Sequence, residues 1–199
     1  MRRKSPGSIR LTVGIPLAAM AVGAAACSGG TPSANPTTSS TPSSSTSTTS
    51  TQPATPKCTT AGLQVTAGMG SGAAGTIGQV ILFENSGTGT CLLHGFPGVA
   101  GLDSAGNQIA QASREVNNAP FTGSAASLPT VQLAPGNTAS ALVLSSDVPT
   151  GSATACVTYA ALLVTPPNAT QSVRVSVQMP GCAGLRVGPV FSGTTGGTQ

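Results

Sequence analysis

The chain of 199 residues has no tryptophan, one tyrosine and four phenylalanines, and charged side chains make up only 6% of it. So few aromatics exclude a core built on large rings, and they remove the stacking platforms on which sugars and single-stranded nucleic acids are held. The scarcity of charge excludes a solvated charged helix face or a basic stripe. A formal charge of +4 and a pI near 9.1 suggest a nucleic-acid partner only until the charges are located. Arg2, Arg3, Lys4 and Arg10 hold the whole excess. Beyond them Lys57, Arg114, Arg174 and Arg186 balance Glu84, Asp103, Glu115 and Asp147, so no phosphate-binding surface is expected. One histidine, His94, and no closely spaced cysteine pair leave no ligand set for zinc. No metal and no cofactor is implied.

What is present begins with an address. Basic residues precede an apolar run from Leu11 to Ala26, which Gly14 and Pro16 interrupt and which small residues close before Cys27. Sixteen residues fall short of the ~20 that span a bilayer, so the run predicts an export signal rather than an anchor. Ala24-Ala25-Ala26-Cys27 resembles the bacterial lipobox, with Ala24 where leucine is usual. The resemblance implies cleavage after Ala26 and lipidation of Cys27; the alternative is ordinary cleavage and a free cysteine on a secreted protein. Two acyl chains, at ~0.8 kcal/mol per buried methylene, hold a protein stably at a membrane. Arg2-Arg3 admits a twin-arginine route but does not specify one.

From Ser28 to Lys57, 23 of 30 residues are Ser, Thr or Pro, with no charge before Lys57. Such a segment cannot bury enough surface to offset its ordering entropy and is expected to be disordered. As a flexible coil it spans about 30 Å, a stalk holding a domain off the membrane. Its hydroxyls suit O-glycosylation, whereas Asn168-Ala169-Thr170 matches the N-glycan sequon by chance.

From Cys58 the texture changes to short β-rich runs. Strands are expected at Leu63–Thr66, Gln79–Glu84, Thr90–Leu93, Val99–Leu102, Val131–Leu133, Ala139–Leu144, Cys156–Val164, Ser172–Val177 and Leu185–Val187. Between them lie turn sequences such as Asn85-Ser86-Gly87, Gly95-Phe96-Pro97-Gly98 and Pro135-Gly136-Asn137. No stretch sustains helical periodicity. The fold class is all-β, an antiparallel sandwich immunoglobulin-like in general form, occupying residues 58–191 and followed by a flexible tail at 192–199. With Cys27 lipidated, Cys58, Cys91, Cys156 and Cys182 remain, an even number in an exported domain. Of three possible pairings the sequential one, Cys58–Cys91 with Cys156–Cys182, closes the shortest loops, each stabilising by roughly 3–4 kcal/mol.

Motifs with chemistry are few. Gly70-Ser71-Gly72-Ala73-Ala74-Gly75 matches the dinucleotide fingerprint, but a strand pattern follows it and no acidic residue lies some twenty positions on. It reads as a flexible loop between strands. His94 with Asp103 and any of many serines supplies the ingredients of a hydrolase, yet no Gly-x-Ser-x-Gly elbow singles one out. Packing at a strand end is the simpler reading of His94. Glu84 and Glu115 lack the surroundings a glycosidase pair needs, and Arg114-Glu115 reads as a solvated pair.

Phe83-Glu84-Asn85 with Cys91, His94-Gly95-Phe96-Pro97-Gly98-Val99, Leu133-Ala134-Pro135-Gly136, and Cys156 and Cys182 with Gly188-Pro189-Val190 together resemble an actinobacterial lipoprotein family, domain of unknown function 4232. Phe96 stands where tyrosine is commoner. The resemblance covers about Cys58 to Phe191 and implies an all-β envelope domain with two disulfides; it carries over no catalytic residue. The functional expectation is a non-catalytic binding module for an envelope protein, glycan or peptide. It would be anchored through Cys27 to the outer face of the cytoplasmic membrane and extend into the cell wall. Phe96 and Phe121, the latter in the long loop from Ala112 to Thr130, are its candidate binding residues. The alternatives are an envelope hydrolase using His94 and a small-ligand carrier.

Overall fold

A computed structural model of the chain describes residues 54–116 and 128–197. Cys27, the stalk before residue 54 and Phe121 lie outside the described residues. Within them there is no α-helix, only a 3₁₀ turn at Thr60–Gly62 and fourteen strands.

The largest sheet is organised by two long strands, β2 (Thr76–Asn85) and β8 (Thr138–Ser146), paired antiparallel without interruption from Thr76↔Ser146 to Glu84↔Thr138. On the other side of β2 lies β1 (Leu63–Ala73), the edge of the sheet. On the other side of β8 lie β13 (Arg186–Val187) and β14 (Phe191–Ser192), with β6 (Ser113–Arg114) joined parallel to β13. The break between β13 and β14 falls at Gly188-Pro189, because proline has no N–H to give the ladder, and the register slips by one residue across it. The second sheet runs β11 (Val173–Val175), β10 (Ala161–Thr165), β4 (Gly98–Leu102), β5 (Gln108–Gln111). Two ribbons close the ends: β3 (Cys91–His94) with β7 (Thr130–Leu133), and β9 (Val157–Tyr159) with β12 (Met179–Gly181).

One core takes side chains from all four pieces: Ile81, Phe83, Ala141 and Val143 from the first sheet, Val99, Leu162 and Val164 from the second, Leu93 and Leu133 from one ribbon, Tyr159 and Met179 from the other. This is the expected sandwich. In a domain with so few rings, Tyr159 is the largest fully buried side chain, and two glycines make room for it. A Cβ added at Gly101 would lie 2.5 Å from the tyrosine ring, and one at Gly181 2.4 Å from it. Burial pushes the Tyr159 hydroxyl up from its usual pKa.

Both disulfides pair sequentially. Cys58–Cys91 is buried, and the backbone at Pro56–Cys58 runs along β3 through Cys58 N–H to Leu92 O and Leu92 N–H to Pro56 O, 3.0 and 2.9 Å. Cys156–Cys182 closes the end of the β9–β12 ribbon, one step beyond the Val157↔Gly181 pair.

The strand map departs from expectation where side-chain alternation is a poor guide. β1 continues to Ala73, so Gly70–Gly75 is not a flexible loop: it is the end of a strand and a two-residue turn. Ala74 and Gly75 both have positive φ, 47° and 80°, the geometry whose twist matches a tight hairpin. The Cys156–Val164 run divides at Ala160, where the chain passes from β12 to β4 as pairing partner. Ser172–Val177 alternates throughout, yet only Val173–Val175 pair with a neighbouring strand. Strands β5, β6, β12 and β14 were not foreseen, being short, polar or, in β12, centred on Pro180. The segment from residue 192, expected as a flexible tail, is seated on the sheet in its described part: Ser192 pairs with Ala139, and Gly196 N–H donates to Ser140 Oγ at 2.9 Å.

Gly101→Ala is expected to destabilise by about 1–3 kcal/mol, as overpacking does in a close-packed core. Urea unfolding of the disulfide-intact protein checks it; an unchanged midpoint would mean that Tyr159 has room to move.

Candidate functional site

β2 and β8 are apolar on both faces. Residues on one face (Ile81, Phe83, Ala141, Val143) enter the core; those between them, Val80, Leu82, Leu142 and Leu144, form a second apolar cluster on the outer face. Their register puts Val80 opposite Leu142 and Gly78 opposite Leu144. Gly78 keeps this face open, since a Cβ there would lie 2.7 Å from Ser71 Oγ and 3.3 Å from Leu142 Cδ1.

A β-bulge brings β1 into the same surface. Ala67 pairs with Ile81 and Gly70 with Gln79, so two residues, Gly68 and Met69, oppose Val80 alone. The carbonyl of Gly68 accepts from the buried Gln79 Nε2 at 2.9 Å, which also donates to Val80 O at 3.0 Å and fixes the irregularity. Met69 is thereby turned out beside Val80 and is 80% exposed, the most exposed large hydrophobic residue among the described ones. From the other side the C-terminal segment is laid on Leu142: Gly196, at φ +69°, sits so close that a Cβ would meet Leu142 backbone and Cβ at 3.0 Å. A groove of about 200 Å³ remains between them, floored by Val80 and Leu142 and bounded by Met69, Ser71, Thr194 and Thr195. It is uncharged throughout.

The residues singled out from sequence lie elsewhere. His94 ends β3 as expected but is exposed rather than packed; its Nδ1 meets Thr130 Oγ1 at 3.1 Å, and its carbonyl accepts from Asn168 Nδ2 at 3.1 Å. Asp103 is committed to its own turn, with Oδ1 accepting from Asn107 N–H at 2.8 Å and Oδ2 from Asn107 Nδ2 at 3.0 Å. Those bonds, the side-chain one foremost, hold its carboxyl below the usual range. The structure does not bring His94 and Asp103 together as an acid–base couple. Glu84 is exposed on β2, and Glu115, the residue after β6, lies 3.4 Å from Arg186 Nη1 of β13 as an ion pair. Among the described residues no three acidic, histidine or cysteine side chains cluster as metal ligands would. Phe96 is half-buried in the turn between β3 and β4, where Val190 N–H reaches Gly95 O at 2.9 Å. Met69 was missed. Its strand reads Gly-Met-Gly-Ser-Gly, with no alternation to mark a face; the available signal was the unbroken apolar run of Val80–Phe83, too apolar for a strand with one wet face.

The model of the family described as Domain of unknown function (DUF4232) matches residues 58–191, about two thirds of the chain. The chain belongs to that family. No curated protein and no solved structure matches it. The DUF4232 match runs from the first disulfide cysteine to the first residue of β14, and so contains β1, β2 and β8 and the floor of the outer groove. It ends before Thr194, Thr195 and Gly196, which cover the groove on one side.

Groove wall and groove floor are expected to separate energetically. Met69→Ser should leave stability within about 0.5 kcal/mol, as exposed substitutions do, whereas Leu142→Ala, 4% exposed, should cost roughly 2–5 kcal/mol. Paired denaturant titrations measure both; a large loss at Met69 would place that side chain in the core instead.

Proposed function

We propose that this DUF4232 protein is an actinobacterial lipoprotein, held by acyl chains on Cys27 at the outer face of the cytoplasmic membrane. Its β-sandwich works as a non-catalytic binding module in the cell envelope. The anchor is supported by the order of basic residues, short apolar run and Ala24-Ala25-Ala26-Cys27, and by the Ser/Thr/Pro-rich segment behind it. The single observation that carries the binding role is the outer face of the β1–β2–β8 sheet, where an apolar groove and the exposed Met69 lie together on a rigid scaffold. Apolar surface gathered in one place is where a partner gains most from excluding water. A hydrolase built on His94 has less support: its ring nitrogen is engaged by Thr130, and Asp103 is held by Asn107.

Two measurements test this reading. Mass spectrometry of the protein extracted from membranes is expected to show a mature chain beginning at a diacylglyceryl-modified Cys27; a free thiol there, or an uncut signal, contradicts the anchor. Crosslinking in cells with the anchored protein as bait, against Cys27→Ala, is expected to capture a reproducible envelope partner only when the anchor is intact. Loss of an enzymatic activity on His94→Ala with the fold retained would favour the hydrolase.

A further inference from the structure

The two faces of the β2–β8 ladder are covered by different means. Apolar side chains of the second sheet and both ribbons close the inner face. On the outer face, residues 193–197 bring no apolar side chain to Leu142. They read Gly-Thr-Thr-Gly-Gly, with Thr194 and Thr195 exposed and Gly196 buried. Gly193 N–H donates to Thr138 O and Gly196 N–H to Ser140 Oγ, both at 2.9 Å. The end of the segment turns back on its own beginning, so that a Cβ at Gly197 would lie 2.3 Å from the Phe191 ring. A cover of backbone and hydroxyls buries little apolar area of its own, and each Å² is worth only ~25 cal/mol. Three glycines, meanwhile, lose the most conformational freedom on ordering. A segment of this kind stands at the low end of local stability and opens without the rest of the fold.

We infer that residues 193–197 are an autoinhibitory strap, which competes with an uncharged apolar ligand for Leu142 and leaves the outer face when that ligand binds. This rests on the reading of the outer face as a docking surface and adds how access to it is controlled. The competition centres on one residue, because Leu142 both floors the groove and seats Gly196. The closed position accepts glycine alone at 196, where φ is +69° and a Cβ would lie 3.0 Å from the Leu142 backbone nitrogen and from its Cβ. A ligand lying along the face beyond the groove therefore meets Gly196 and its bond to Ser140. Thr194 and Thr195, which bound the groove, move with the strap, so that opening widens the site as well as lengthening it. No lining side chain carries charge, which sets the chemistry of what is admitted. Strap and ligand exclude each other, and by linkage each weakens the other by the same factor.

The test uses the full-length protein in detergent, with a trifluoromethyl phenyl diazirine as an uncharged apolar photoprobe and Gly196→Ala to disfavour the closed strap. In the dark, saturating probe is expected to speed hydrogen exchange of the strap amides in the unsubstituted protein, leaving those of Thr138–Ser146 unchanged. On irradiation, labelling of the peptide that contains Leu142 should rise roughly fivefold or more in Gly196→Ala, with Thr138–Ser146 still protected. Equal labelling of Leu142 in the two proteins would overturn the competition. Strap amides that exchange only together with those of Thr138–Ser146 would make the segment an integral part of the fold and overturn the strap. Strap amides freed by Gly196→Ala with no labelling at Leu142 would leave a strap that guards nothing, and would overturn the docking surface itself.

Discussion

The structure depends on one pairing, the antiparallel ladder of β2 against β8 from Thr76↔Ser146 to Glu84↔Thr138. It is long, uninterrupted and apolar on both faces, and so has two consequences at once. The inner face, with Ile81, Phe83, Ala141 and Val143, supplies the floor of the core on which the second sheet and both ribbons pack. The outer face carries a second apolar cluster, with Val80, Leu142 and Leu144 buried and Leu82 packed against them. The C-terminal segment covers part of it, through Gly196 on Ser140 and Leu142, and the uncovered remainder is the groove beside Met69.

Just beyond the last pair of this ladder sits Asn85, 2% exposed, with every hydrogen-bonding group used. Its Nδ2 donates to Leu133 O and Gly89 O, both at 2.9 Å, and its Oδ1 accepts from Gly87 N–H at 3.0 Å. Its own backbone takes Gly136 N–H and gives to Asn137 O. One residue thus locks three segments, its side chain the turn after β2 and the end of β7, its backbone the turn before β8. Buried polar groups left without partners cost roughly 1–3 kcal/mol each, so a residue that satisfies several in one place fixes the geometry of all three segments. At the opposite end, Cys156–Cys182 and the Cys182 N–H bond to Ser146 O tie the β9–β12 ribbon to the end of β8.

How much of this was legible follows from what sequence patterns encode. The all-β class, the sequential disulfides and the positions of the long strands were readable, because apolar runs, turn residues and cysteine spacing are local signals. Phe83-Glu84-Asn85 and Pro135-Gly136-Asn137 were visible as strand end and turn, but that Asn85 joins them was not, since its partners Gly136 and Asn137 lie far along the chain. The end of β1 was hidden because glycines carry no face, and a strand of Gly-Met-Gly-Ser-Gly exists only through the ladder to β2 and the turn at Ala74-Gly75. His94 and Asp103 attracted notice by residue type alone. Residue type is blind to the partners that occupy them, Thr130 and Asn107, and so the candidate site shifted from the polar residues to an apolar surface.

The central proposal is that the protein is anchored in a membrane through Cys27 and that a partner there covers the outer face of the β1–β2–β8 sheet. Oxidation of its methionines by dilute peroxide, followed by peptide mass spectrometry, measures this directly, because Met69 is 80% exposed and Met179 only 1%. In isolated membranes Met69 is predicted to oxidise several-fold more slowly than in protein dissolved and diluted in detergent, with Met179 resistant in both as the internal control for an intact fold. Equal rates for Met69 in the two preparations, with Met179 still protected, would contradict the account.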